Sequence, residues 1–211
     1  MTPNDSSAAC EKICLLAPIV PVLVVENAAD AAPLARALVA GGLPALEVTL
    51  RTPAALDVIR EMATVEGGVV GAGTLLTPAD VKAAKAAGAQ FGVSPGATDI
   101  LLRACLDEEL PLLAGAATAT EAMRLLEKGY TIQKFFPAEA SGGASALKAI
   151  GAPLPQVRFC PTGGVTLQNA PDYLALSNTI CAGGSWVAPK NLVANGDWGG
   201  IETLAREASQ L

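Results

Sequence analysis

Tyr130-Thr131-Ile132-Gln133-Lys134-Phe135-Phe136-Pro137 packs β-branched and aromatic residues into one short run, the composition of a buried strand. Eight apolar segments of this kind recur every 20 to 26 residues along a chain of 211: Ile19 to Val25, Ala45 to Leu50, Val69 to Thr74, Gln90 to Pro95, Pro111 to Ala116, Thr131 to Phe136, Val157 to Thr162 and Asn178 to Gly183. Stretches of helical character lie between them, namely Ala31 to Val39, Pro53 to Ala63, Pro78 to Ala87, Asp99 to Leu106, Thr120 to Glu127 and Leu167 to Leu174. Thr77 before Pro78, and Thr118 three residues before Glu121, are helix-start signals. Gly41, Gly88 and Gly129 mark helix ends. Near-continuous apolar strands alternating with helices specify a parallel sheet covered by helices. Eight such units with no linker between them fit a closed barrel better than an open doubly wound sheet. The expectation is a single (β/α)8 TIM barrel over residues 1–211 with short loops, residues 1–16 forming an N-terminal extension or short helix.

Composition narrows the chemistry. Apolar residues make up 51% of the chain, enough for a sizeable core. The mean hydropathy of +0.42 owes much to alanine, and no uninterrupted apolar run approaches the roughly 20 residues of a spanning helix. The polar start Met1-Thr2-Pro3-Asn4-Asp5-Ser6-Ser7 carries no basic cluster and leads into no signal-type segment. A cytoplasmic protein with no membrane partner is the expectation. A net charge of −6, without a basic stripe, argues against a nucleic-acid partner. Five scattered cysteines with no Cys-x-x-Cys pair suggest neither a disulfide framework nor a zinc cage; they read as reduced, buried small hydrophobes. The chain has no histidine. Serine triads, cysteine–histidine dyads and histidine-ligated metals are therefore excluded, and any acid or base working near neutral pH must be a carboxylate, lysine, cysteine or tyrosine. No metal ligands and no cofactor are expected.

Lys134 lies where an amphipathic strand would not place a lysine. One reading is a strand-end lysine whose stem is buried and whose head reaches water. The other is a desolvated amine made nucleophilic toward a carbonyl, as in Schiff-base chemistry. In Glu47-Val48-Thr49-Leu50-Arg51 the strand period of two puts Glu47, Thr49 and Arg51 on one face, and Val48 and Leu50 on the helix-facing side. Glu47 and Arg51 then point into the barrel mouth, either as a structural ion pair or as part of a site, within reach of Lys134 across it. Gly71-Ala72-Gly73-Thr74 adds small residues and a hydroxyl, and Ser94-Pro95-Gly96 ends the fourth strand. Pro161-Thr162-Gly163-Gly164-Val165 and Ala182-Gly183-Gly184-Ser185 are glycine-rich loops after strands seven and eight, where barrels commonly hold phosphate; as ordinary tight turns they would carry no function. A nucleophilic amine, a carboxylate, an arginine suited to a carboxylate and a phosphate cradle are the equipment of a Schiff-base lyase for a phosphorylated 2-oxo acid.

The same residues resemble the 2-keto-3-deoxy-6-phosphogluconate (KDPG) and 4-hydroxy-2-oxoglutarate (KHG) aldolase family. The likeness rests on Glu47 to Thr52, Val70 to Thr74, Gln90-Phe91 with Ser94-Pro95-Gly96, Lys134 to Glu139, Arg158 to Gly164, and Gly183-Gly184-Ser185-Trp186, and spans the chain from about Ala17 to Ala208. It implies a metal-independent class I aldolase, a homotrimer on a (β/α)8 barrel, that cleaves its substrate to pyruvate and glyceraldehyde 3-phosphate in the Entner-Doudoroff pathway. It also implies activity on 4-hydroxy-2-oxoglutarate. By this resemblance Lys134 forms the imine, Glu47 moves protons, and Arg51 with Thr74 holds the pyruvate carboxylate. Gly163, Gly164, Gly184 and Ser185 surround the phosphate, with Pro95, Phe136 and Thr162 as further lining. Ala114-Gly115-Ala116-Ala117 departs from the proline-glycine pair expected after the fifth strand. Three rivals remain. One is the galactonate-type aldolase with the epimeric C4 hydroxyl, although Phe135-Phe136-Pro137 and Arg158-Phe159-Cys160-Pro161 favour the gluconate type. The others are a phosphate-binding barrel isomerase or synthase, and a non-catalytic barrel that binds a phosphorylated metabolite.

Overall fold

The computed structural model describes residues Met1 to Leu211. Its strands are β1 (Ile19–Leu23), β2 (Ala45–Thr49), β3 (Val69–Gly73), β4 (Phe91–Val93), β5 (Leu112–Ala116), β6 (Ile132–Phe135), β7 (Arg158–Pro161) and β8 (Ala182–Gly184). All pairings are parallel, in the order β7-β6-β5-β4-β3-β2-β1-β8. Single parallel bridges, Phe159 to Thr179 and Thr162 to Gly183, join the two ends. The expected (β/α)8 barrel is the fold. β8 alone is shifted from its apolar segment: Thr179 meets β7 at one bridge, and only Ala182 to Gly184 pair with β1.

The helices are α1 (Pro3–Cys14), α2 (Ala31–Ala40), α3 (Ala55–Met62), α4 (Pro78–Ala86), α5 (Asp99–Asp107), α6 (Ala119–Glu127), α7 (Gly143–Gly151), α8 (Ala170–Leu174), α9 (Lys190–Ala194) and α10 (Trp198–Ala208). Thr77 and Thr118 each close a capping box, with Asp80 and Glu121 respectively, so that backbone donors at the helix start are satisfied reciprocally. Gly88 and Gly129 end their helices at φ +98°. After α2 the left-handed residue is Gly42 (φ +93°), one beyond the glycine that the sequence pointed to. Gly41 serves another purpose, because a Cβ there would sit 2.4 Å from Cβ of Ala205 on α10.

The strand period of two divides the apolar residues into two cores. Ile19, Leu46, Val48, Leu112 and Phe159 pack with the helices in the larger one. Their alternates Val20, Ala45, Phe91, Leu113, Ile132 and Cys160 fill the barrel with Cys10, Cys14 and Cys181. Cys10 and Cys14 come from α1, which plugs the N-terminal end of the barrel. Ser6 Oγ accepts from the amide of Leu112 at 2.9 Å, and Ser7 Oγ accepts from those of Thr131 and Ile132 at 2.9 and 3.0 Å. Arg158 and Glu11 pair at 3.0 Å across the same seam. All five cysteines are free and buried, and burial pushes the Cys105 thiol up to about 12. No helix is long and apolar enough to cross a membrane.

Candidate active site

Two buried charges face each other at the C-terminal mouth of the barrel. Glu47 sits in the middle of β2 and Lys134 in β6, both on the inward register. Lys134 Nζ lies 3.3 Å from Glu47 Oε1, with side-chain exposures of 7% and 4%. The head of Lys134 therefore does not reach bulk water, which removes the strand-end reading. Nζ also stands 5.2 Å from the centre of the Phe136 ring, a favourable place for a cation. Glycine makes the carboxylate's position possible: a Cβ on Gly73, in β3, would fall 2.3 Å from Glu47 Oε1.

Arg51, in the turn after β2, completes that wall. Its Nε donates to Thr49 Oγ1 at 3.3 Å, and no carboxylate pairs with it, whereas Lys134 is paired. Of the two alternatives for Glu47 and Arg51, a structural ion pair between them is not what forms. Thr74 directly follows β3 with φ +63°. A β-branched residue held in the left-handed region is strained, and such strain persists where the surroundings over-determine it.

The loop after β7 has its own logic. The amide of Ala138 donates to Thr162 O at 2.8 Å and that of Glu139 to Gly163 O at 3.0 Å. Asn169 Nδ2 donates to Gly164 O at 3.1 Å. Three successive carbonyls are thus occupied within the protein. In a trans peptide the N–H points opposite to the C=O, so the amides of Gly163, Gly164 and Val165 each point away from an occupied carbonyl, and none donates within the protein. Gly163 (φ +99°) and Gly164 (φ +78°) permit this turn. The side chain of Glu139 lies against Gly164, where a Cβ would meet its Cγ at 2.6 Å, and accepts a hydrogen bond from Tyr173.

One cavity of about 320 Å³ collects these groups. Glu47, Arg51, Thr74, Pro95, Lys134, Phe136, Thr162, Gly163, Gly164 and Ser185, all singled out from the sequence, line it. Gly184 does not. Thr162 pairs with Gly183, so the strand period turns Gly183 inward and Gly184 outward, where a Cβ would strike the Trp186 ring at 1.8 Å. Val22, Thr49, Val165 and Gly183 line the cavity without having been assigned a role. Thr49 and Gly183 were within reach of the strand alternation, and Val165 follows the paired glycines directly. No three cysteine, aspartate or glutamate side chains converge to hold a metal.

The sequence matches the aldolase family described as KDPG and KHG aldolase over residues 10–204. A 2-dehydro-3-deoxy-phosphogluconate aldolase of Pseudomonas aeruginosa is 51% identical over 206 residues, covering 97% of this chain and 94% of that protein. The crystal structure of the 2-keto-3-deoxy-6-phosphogluconate aldolase of Zymomonas mobilis with 3-phosphoglycerate has a TM-score of 0.89 at 49% identity, covering 94% of each chain. KDPG aldolase from Legionella pneumophila, with pyruvate captured at low pH as a covalent carbinolamine, has a TM-score of 0.91 at 44% identity, covering 94% of this chain and 97% of that one.

Proposed function

The chain belongs to the KDPG and KHG aldolase family, and from that premise we propose that it is a class I, metal-independent aldolase cleaving KDPG to pyruvate and D-glyceraldehyde 3-phosphate. The observation that carries this reading is the buried pair of Lys134 and Glu47 at 3.3 Å, set between an arginine without an ion-pair partner and three amides that donate to nothing within the protein. The covalent carbinolamine of the Legionella relative supports imine chemistry at the lysine.

In the proposed reaction Lys134 gives a proton to Glu47 and its neutral amine attacks the C2 carbonyl of the substrate. Glu47 returns that proton to the carbinolamine hydroxyl, which leaves as water and gives a protonated imine. Glu47 then takes the C4 hydroxyl proton as the C3–C4 bond breaks. The bonding pair moves through C3 and C2 to the imine nitrogen, giving an enamine and the free aldehyde. Glu47 returns its proton to C3, and water releases pyruvate from Lys134. Arg51 and Thr74 receive the C1 carboxylate. The amides of Gly163, Gly164 and Val165 with Ser185 receive the phosphate, Gly183 rather than Gly184 supplying the small surface beside them.

The same anion end suits the second carboxylate of 4-hydroxy-2-oxoglutarate, the other substrate in the family's description. The gluconate rather than the galactonate substrate is favoured by the name of the 51%-identical relative. Assembly is read as a homotrimer from membership of the family. The working compartment is read as the cytoplasm.

Borohydride added with pyruvate tests the reading. It should inactivate the protein and leave one reduced pyruvyl adduct per subunit, on Lys134, insensitive to prior EDTA. Label on Lys128 or Lys148, or no label, would sink the proposal.

A further inference from the structure

We propose that Thr49 is a positioning residue that sets the guanidinium of Arg51, an inference resting on the reading of Arg51 as the carboxylate receptor. Thr49 is the middle one of three residues that β2 and its following turn present to the cavity. It is 2% exposed. Its Oγ1 donates to the carbonyl of Leu23, on the neighbouring β1, at 2.9 Å. A hydroxyl has one proton, so toward Arg51 it can only accept, and Arg51 Nε donates to it at 3.3 Å.

That contact is the side-chain hydrogen bond that Arg51 makes within the protein. The residue is exposed and has no ion-pair partner, so without an anchor its long side chain would spread over many rotamers. Because the guanidinium is planar, a bond at Nε fixes its plane as well as its position. The four N–H groups on Nη1 and Nη2 stay free for a carboxylate. The chain of support runs from the β1 backbone through a buried hydroxyl to the arginine.

The test is the pyruvate concentration giving half-maximal borohydride inactivation, with thermal midpoints as a check on folding. Thr49→Val keeps the shape and loses the oxygen. It should need about tenfold more pyruvate, the scale of one hydrogen bond to a charged group, while inactivation at saturation stays within about threefold. Thr49→Ser, which keeps the oxygen, should stay within about twofold of the natural protein, and Thr49→Ala provides a second loss variant should valine fold poorly. Arg51→Ala should weaken pyruvate further, and adding Thr49→Val to it should change nothing more, as for two residues acting through one contact. Equal weakening with and without Arg51 would mean that Thr49 acts independently, and the proposal fails. If Arg51→Ala weakens pyruvate and folded Thr49→Val does not, the proposal fails while the role of Arg51 stands. If Arg51→Ala has no effect, both fall.

Discussion

Glu47 has no histidine to share its work. In the proposed reaction it takes a proton from Lys134 and gives it to the departing water, then takes the C4 hydroxyl proton and gives it to the enamine carbon, all from a position 3.3 Å from Nζ. Glu47→Gln removes the base and nearly preserves the volume. The variant should still be trapped by pyruvate and borohydride, because the imine depends chiefly on Lys134. Exchange of the pyruvate methyl protons with deuterated water should fall by about 100- to 10,000-fold, the usual worth of a positioned base. Near-normal exchange would take Glu47 out of the proton-transfer role. Lys134, Glu47 and Arg51 were legible in the sequence because desolvating a charge on the inward register of an apolar strand is costly unless a partner or a reaction offsets it. Gly73 was legible only as a small residue; that it makes room for the Glu47 carboxylate depends on the β2–β3 register. Gly183 and Gly184 look alike along the sequence, and only the pairing with Thr162 shows which one faces inward.

At the scale of elements, the strands and the capped helices were readable because their signals are local. Runs of apolar residues mark β1 to β7, and Thr77 and Thr118 mark the starts of α4 and α6. Helix α7 was hidden by its own beginning: Gly142 (φ +105°) and Gly143 (φ +68°) read as loop. Helix α1 is the short helix that residues 1–16 offered beside a plain extension, and its periodicity was faint because its buried face, Ser6, Ser7, Cys10 and Cys14, is scarcely apolar. Those serines substitute for strand partners at the lower rim, where β5 and β6 begin. Ser7→Ala leaves the amides of Thr131 and Ile132 without an acceptor, at a cost of about 2–3 kcal/mol for buried donors. The thermal midpoint should drop by roughly 5–10 °C for a chain of this size. Activity per folded molecule at 25 °C should change little, since the plug lies at the opposite end from the mouth. An unchanged midpoint would show that water replaces the serine there.

Over the whole molecule, the barrel keeps the two halves of the proposed task on different strands. The lysine, carboxylate and arginine belong to β2 and β6, while the anion end belongs to the loops after β7 and β8. The eightfold alternation was visible along the sequence. That the Gly163, Gly164 and Val165 amides have no acceptor within the protein was not, because it depends on how residues 138, 139 and 169 engage the adjoining carbonyls. This separation makes the anion end testable without touching the chemistry. The phosphate lies several bonds from the breaking C3–C4 bond, so its binding energy can only help by orienting the substrate. A substrate without phosphate should lose on the order of 100-fold or more in kcat/KM, while pyruvate methyl exchange, which does not use that end, stays intact. Ser185 is exposed at the cavity edge, so Ser185→Asp should fold normally and place a carboxylate where an anion must bind. It should reproduce the defect on the phosphorylated substrate and spare exchange. A fall in both assays would mean that the anion end was misassigned, and a fall in neither would reduce the glycine loops to turns.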